Sequence, residues 1–181
     1  ISTGCATFSE VLYACEQISG MTKDFALLHC VSKYPLPPEE ANLKIISLWK
    51  QMLPCPVGFS DHSAGLALAP MAVALGADII EKHFTLDNRM KGPDHVLSLN
   101  PDHFGAMVET IRTVEKALGN PYIMPVSSEW TERMNGRRGL KAARNLEAGK
   151  KIREQDIKVI KPATGLSPEK LPWVLGKKLK E

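Results

Sequence analysis

Strand-like and helix-like segments alternate from residue 1 to residue 119, and few architectures accommodate that order. "ATFSEVLYACEQIS" places Phe8, Val11, Leu12, Cys15 and Ile18 on one helical face, with Thr7 as N-cap and Glu10 three residues later. "FALLHCVS" reads as a short apolar strand. "PEEANLKIISLWKQML" reads as a helix with acidic residues in its first turn and Lys50 near its end, the polarity a helix dipole favours. Strand "CPVGFSDH", helix "LALAPMAVALG", strand "DIIEKHF" and helix "PDHFGAMVETIRTVEKALG" follow, the last closed by Gly119. Near-continuous apolar strands separated by helices predict an α/β fold with a parallel sheet covered by helices.

Such a sheet is either open and doubly wound or closed into a barrel. An open dinucleotide fold calls for a glycine-rich turn after a strand, and no GxGxxG occurs. Several different strands instead carry polar residues at their C-terminal ends, where a barrel builds its active site. About four strands are legible, which makes half of an eight-stranded barrel. Residues 120–136, with prolines and no clear period, read as a linker. Residues 137–181 change character, with short strands, a turn at "EAGK" and the proline-bearing "IKPATG", and read as a partial small β-rich module. The opening "ISTGCAT" lacks an initiator Met and looks like the tail of a strand and its loop, so the chain reads as a piece of a longer protein.

Composition narrows the function classes. With 181 residues there is room for one domain and part of another. A net charge of +3, without a basic stripe interleaved by aromatics, argues against a nucleic-acid or anionic-membrane partner. The apolar run "AGLALAPMAVALGADII" has 17 residues and is broken by Pro70, Gly76 and Asp78, so it reads as helix-then-strand core rather than a membrane span. No basic segment followed by an apolar run opens the given sequence, so no secretion signal is expected from these residues. The four cysteines, Cys5, Cys15, Cys30 and Cys55, form no CxxC pair or zinc spacing and read as reduced thiols of a cytoplasmic protein.

Two strands end in unusual chemistry. "VGFSDHSAG" runs into Ser60, Asp61 and His62, and "ADIIEKHFTLD" into Glu81, Lys82 and His83. Side chains of a strand alternate faces, so Ser60 and His62 share one face while Asp61 takes the other, and Glu81 and His83 likewise share a face. Adjacent strands lie ~4.8 Å apart, close enough for two inward histidines at equal height to reach one cation. Oxygen-rich surroundings suit Mn²⁺ or Mg²⁺, and imidazole also accepts Zn²⁺. The alternative is that each histidine is a hydrogen-bonded barrel-end residue without a ligand. His29, in mid-strand on the other face, and His103, at a helix start, read as structural. "DNRMKGPDH" is either a solvated loop or a substrate-facing lid.

The motifs "STG", "HCVSKYP", "GFSDHS", "EKHFTLD", "GPDH" and the later "RRGL…EAGKKI…IKPATG" resemble the sialic acid synthase family, in order along essentially the whole chain. That resemblance implies the C-terminal half of a TIM (β/α)₈ barrel followed by part of an antifreeze-like (SAF) domain. It also implies condensation of phosphoenolpyruvate with an N-acetylated amino sugar to a nonulosonic acid, with a divalent metal, Mn²⁺ or Mg²⁺. Position by position, it implies His62 and His83 as metal ligands, Ser2 and Ser60 as phosphoenolpyruvate contacts and Glu81 as an active-site carboxylate. Ser32, Tyr34 and Asp94 fall at sugar contacts. In many members an Arg in a KRPG stretch reaches the partner subunit's sugar in a domain-swapped homodimer. Lys161 occupies that position here, and Ser63 replaces a common Thr. Another metal-dependent barrel aldolase or lyase, or a non-catalytic carbohydrate-binding or assembly protein, competes with this reading. An SAF module distinguishes the first alternative, and the intact polar set argues against the second.

Overall fold

A computed structural model describes residues 1–180, which divide into two compact units, Ile1–Asn120 and Pro121 onward. In the first unit α1 (Phe8–Ser19) begins as its residues dictate. The Thr7 hydroxyl accepts from the Glu10 amide, and Glu10 Oε2 accepts from the Thr7 amide at 2.7 Å. Two of the donors left over at the helix start are thus satisfied. Three strands, β1 (Leu27–Cys30), β2 (Val57–Asp61) and β3 (Ile79–Lys82), form a parallel sheet in that order. Helices α2 (Lys44–Met52) and α3 (Leu68–Ala74) connect them, and α4 (Pro101–Leu118) follows β3. Ser2 bridges to Leu28 in parallel, so the first residues extend the sheet beside β1.

Register sorts the side chains into two faces. Cys30, Ser60 and Glu81 are aligned across the three strands, as are Leu28, Gly58 and Ile79 one step below. The opposite face carries Leu27, Val57 and Phe59, all fully buried against Val11, Ile46, Trp49, Leu68 and Ala72 of the helices. Each such side chain contributes ~1.5–3 kcal/mol by leaving water. Gly58 is needed where it stands, because a Cβ there would lie 2.5 Å from the Ile79 carbonyl oxygen and 2.5 Å from a Leu28 methyl. On the barrel-side face β1 and β2 are still buried, whereas β3 is open, with Ile79 40% exposed.

One helix expectation needs correcting. Residues 38–40 form a separate 3₁₀ turn, and α2 starts only at Lys44. Asn42 adopts φ = +48°, a left-handed conformation that Asn tolerates better than most residues and that no α-helix propagates. Glu39 and Glu40 therefore lie outside the first turn of α2.

The second unit contains α5 (Trp130–Gly136), an antiparallel pair β4 (Gly139–Ala142) and β5 (Ile157–Ile160), and the short α6 (Leu171–Val174) around Leu140, Ile152 and Val174. The expected linker 120–136 is thus partly ordered structure. The Glu129 carboxylate accepts from the Val126 amide at 2.9 Å to set the turn that leads into α5, and Arg133 lies over the Trp130 ring. Asp156, fully buried, accepts from Lys150 Nζ and Arg144 Nη2 at 2.9 Å each and from the Arg153 amide. The Lys150 and Arg144 bonds hold its pKa down at about 2. The Asp156 contribution to stability is complete above the ordinary carboxylate pKa and is lost as pH falls from ~4 through 2. Urea unfolding of this unit at pH 5, 3 and 2 should show the loss, and Asp156→Asn should flatten the dependence. An unchanged acid dependence in the variant would assign the effect to other carboxylates.

Candidate active site

Strand alternation brings the polar strand ends together. Ser60 Oγ donates to Glu81 Oε1 at 2.6 Å, joining β2 to β3 through the register Ser60↔Glu81. The rings of His62 and His83 lie edge to face with centroids 5.3 Å apart. Tyr34, returning from the loop after β1, stacks on His62 at 4.1 Å and meets His83 edge-on at 5.6 Å. The Leu36 amide donates to the His62 carbonyl at 2.9 Å and so fixes that return. Ser60, His62, Glu81, Lys82 and His83 line a hollow of about 230 Å³. A larger groove of about 1450 Å³ is lined by residues such as Phe8, Leu48 and Met71 and also by Cys30 and Ser32, but not by Ser60, His62, Glu81 or His83.

Hydrogen-bond accounting shows what His62 offers. Its Nδ1 lies 2.8 Å from the Val31 carbonyl, which can only accept, so in the neutral ring Nδ1 carries the proton. Nε2 then presents a lone pair. Ser60 Oγ is 3.3 Å from it, but the single Ser60 proton is directed to Glu81. The Tyr34 hydroxyl, also at 3.3 Å, is the remaining donor. A buried imidazole with one nitrogen anchored to a carbonyl and the other loosely engaged is the usual state of a ligand nitrogen. Among the described residues no group of three or more His, Cys, Asp or Glu is arranged as a metal cage. The donor set therefore fits a cation as two imidazoles with neighbouring carboxylates, not as a complete site.

The remaining expected residues fall as follows. Asp94 sits in the loop after β3, its carboxylate 4.0 Å from His83 Nδ1 and 55% exposed. The loop "DNRMKGPDH" is organised by Asn88, whose amide donates to the His95 and Ser98 carbonyls. Ser32 is exposed, with its hydroxyl against Gly4, and Ser2 lies on the barrel-side face at the level of Leu28. Lys161 is exposed in the second unit, directly after β5. His29 is not with the group. It is buried between Trp49 and Phe59 with Nε2 2.8 Å from the Ala41 carbonyl, and burial lowers its pKa. His103 is exposed in the first turn of α4, its amide capped by Asn100.

Cys30 was missed as a site residue. It is aligned with Ser60, and its Sγ lies 4.0 Å from His62 Nδ1. Burial pushes its thiol pKa up, the Glu81 charge adds to this, and bonds with Ser60 and Ser32 oppose it. It is a neutral wall of the site rather than a nucleophile. The period-two pattern that places Ser60 places Cys30 as well.

A parallel sheet whose polar groups gather at the C-terminal ends of consecutive strands is the arrangement of part of a (β/α) barrel seen at its C-terminal face. Residues 1–122 match the NeuB family and residues 137–181 the SAF domain, so this chain belongs to the NeuB family and combines the C-terminal part of its barrel with an SAF domain. It is 41% identical over 181 residues to an uncharacterised protein of Methanocaldococcus jannaschii, covering 99% of this chain and 54% of that one. It is 34% identical to N,N'-diacetyllegionaminic acid synthase of Legionella pneumophila over 99% of this chain and 52% of the relative. The N-acetylneuraminic acid synthetase of Leptospira borgpetersenii, solved with citrate, superposes with a TM-score of 0.67 at 39% identity, covering 72% of this chain and 46% of that one. The chain spans about half the length of the curated relatives it matches. No helix among the described residues is long and apolar enough to cross a membrane.

Proposed function

We propose that the chain forms the C-terminal part of a cytoplasmic nonulosonic acid synthase, which condenses phosphoenolpyruvate with an N-acetylated amino sugar. The observation that carries this reading is the pairing of Ser60 with Glu81 and of His62 with His83 at two adjacent strand ends. In the reaction C3 of phosphoenolpyruvate bonds to the aldehyde carbon of the open-chain sugar. Water supplies a hydroxyl to C2, and phosphate leaves. Ser60 and Ser2 hold phosphoenolpyruvate on the barrel-side face. Glu81, which accepts a hydrogen bond from the Ser60 hydroxyl and stays a carboxylate, takes the proton of the water that adds to C2. Tyr34, Asp94 and Ser32, on the loops above the strands, contact the sugar. His62 Nε2 and His83 would hold a divalent cation, Mn²⁺ or Mg²⁺, which when bound supplies Lewis-acid polarisation of the aldehyde.

In this proposal the enzyme works as a homodimer, and Lys161 reaches the sugar of the partner subunit. Lys offers one flexible charge where Arg would present a planar fork. In the full-length enzyme carrying these residues, Lys161→Ala should raise the sugar KM and leave the phosphoenolpyruvate KM unchanged. If both constants stay put, Lys161 is a surface lysine only. The reading as a whole is tested in the full-length enzyme by phosphate release in the presence of phosphoenolpyruvate, metal and N-acetylmannosamine or a diacetamido sugar, whereas the 181-residue chain alone should not turn over. Absence of sugar-dependent release with every such acceptor would overturn it.

A further inference from the structure

We propose that the buried ion pair between Asp61 and Lys82 is the positioning element that sets His62 and His83 side by side. The inference rests on the site reading above but concerns charged groups that meet on the other face of the two strands. Asp61 and Lys82 are Cα partners at the last rung of the β2–β3 ladder. Their charged groups lie 3.0 Å apart with side chains 0% and 1% exposed. Asp61 stands between Ser60 and His62, and Lys82 between Glu81 and His83, so each charge is flanked by two site residues facing the other way.

The turn after β2 is tied to the same pair. Asp61 Oδ1 accepts from the Ser63 amide at 2.8 Å and the Ser63 hydroxyl at 2.6 Å. Lys82 Nζ donates to the Ser63 carbonyl. Among the described residues Asp61 Oδ2 accepts no hydrogen bond, and the Lys82 ammonium is its ion-pair partner. Both charges are shut off from bulk solvent.

The arrangement answers a specific need. Below the top rung the β2–β3 contact consists of the hydrogen-bonded Ser60–Glu81 rung on the site face and of Gly58, Phe59, Ile79 and Ile80, so Asp61 and Lys82 are the rung that carries charge on the helix-covered face, and a one-residue slip exchanges the two faces. A slip of one residue would turn His62 or His83 to the other face and leave two buried charges unpaired. Breaking such a pair is strongly destabilising, whereas replacing both members by neutral groups is often tolerated. The pair thus penalises every register but the one in which the two imidazoles meet.

That asymmetry gives the test, on this chain, first without metal and then with Mn²⁺. Ring-proton Overhauser contacts of His62 with His83 and Tyr34 report the geometry directly, and 15N-edited histidine spectra report the Nδ1–H of His62. The double variant Asp61→Asn with Lys82→Met should fold with unchanged far-ultraviolet dichroism yet lose these contacts and the protected Nδ1–H. Its Mn²⁺ affinity should fall ~10–100-fold, the size of effect seen when groups that orient metal ligands are removed. Asp61→Glu, which keeps both charges but lengthens one arm by a methylene, should fold and displace the same contacts, and it decides the matter if the double variant does not fold. Undisturbed ring contacts in a folded double variant, or in Asp61→Glu, overturn the proposal. Absence of Mn²⁺ binding in the unaltered chain, with the ring contacts present there and lost in the variants, would instead remove the metal reading and leave the positioning role standing.

Discussion

Glu81→Gln should lower kcat for condensation by ~10²–10⁴-fold, the usual range for losing a positioned acid or base, while both KM values change little. The amide is nearly isosteric, and its oxygen still accepts from the Ser60 hydroxyl that now donates to Glu81 at 2.6 Å. Geometry is therefore retained while the capacity to take a proton is removed. Ser60→Ala supplies the contrast. It removes the hydroxyl that donates to Glu81 and, in the proposed reading, a phosphoenolpyruvate contact, and should act chiefly on the phosphoenolpyruvate KM. Steady-state phosphate release with each substrate varied in turn separates the two. A Glu81→Gln enzyme with the parent kcat would show that the proton goes elsewhere.

The second large effect concerns the imidazoles. His62→Ala and His83→Ala should each weaken divalent-metal binding by at least ~10–100-fold and abolish metal-dependent turnover at ordinary metal concentrations, since even outer groups of a metal site are worth that much. His62 is buried and stacked on Tyr34, so its removal also frees the Tyr34 ring, and the sugar KM should rise with it. His83 has no such stacked partner and meets Tyr34 only by its edge, so its removal should affect metal more selectively. Titration calorimetry with Mn²⁺ alongside turnover at saturating metal distinguishes these outcomes. If either alanine variant binds metal and turns over like the parent, the shared-cation reading is wrong.

Both predictions start from a pattern legible in the chain itself. Alternation of side chains along a strand is a property of the extended backbone, so "FSDH" and "IIEKH" sufficed to put Ser60 with His62 and Glu81 with His83. The capping box at Thr7 and Glu10 is equally local, because its partners lie three residues apart. The sheet class was legible for a related reason. Strands covered on both faces need nearly continuous apolar residues, and β1 and β2 are buried along their whole length.

Local pattern failed where the backbone departs from its regular dihedrals. The break at Asn42, which separates Glu39 and Glu40 from α2, depends on one left-handed residue inside a helical composition. The turn and helix within residues 127–136 lack a long apolar stripe and draw on Glu129 folding back to the Val126 amide.

Only the tertiary structure decided which groups from distant parts of the chain meet. Tyr34 reaches His62 because the loop after β1 is pinned through Leu36, 26 residues before its partner carbonyl at His62. The tautomer of His62 depends on the carbonyl of Val31, and a carbonyl has no signature in a sequence. Asp61 and Lys82 look like ordinary polar strand-end residues until register places them opposite each other and burial removes their water. The sequence by itself determined the faces, because they repeat every two residues along one strand. Pairing across strands and the loops that return to them are contacts between segments far apart in the chain, and packing alone selects those.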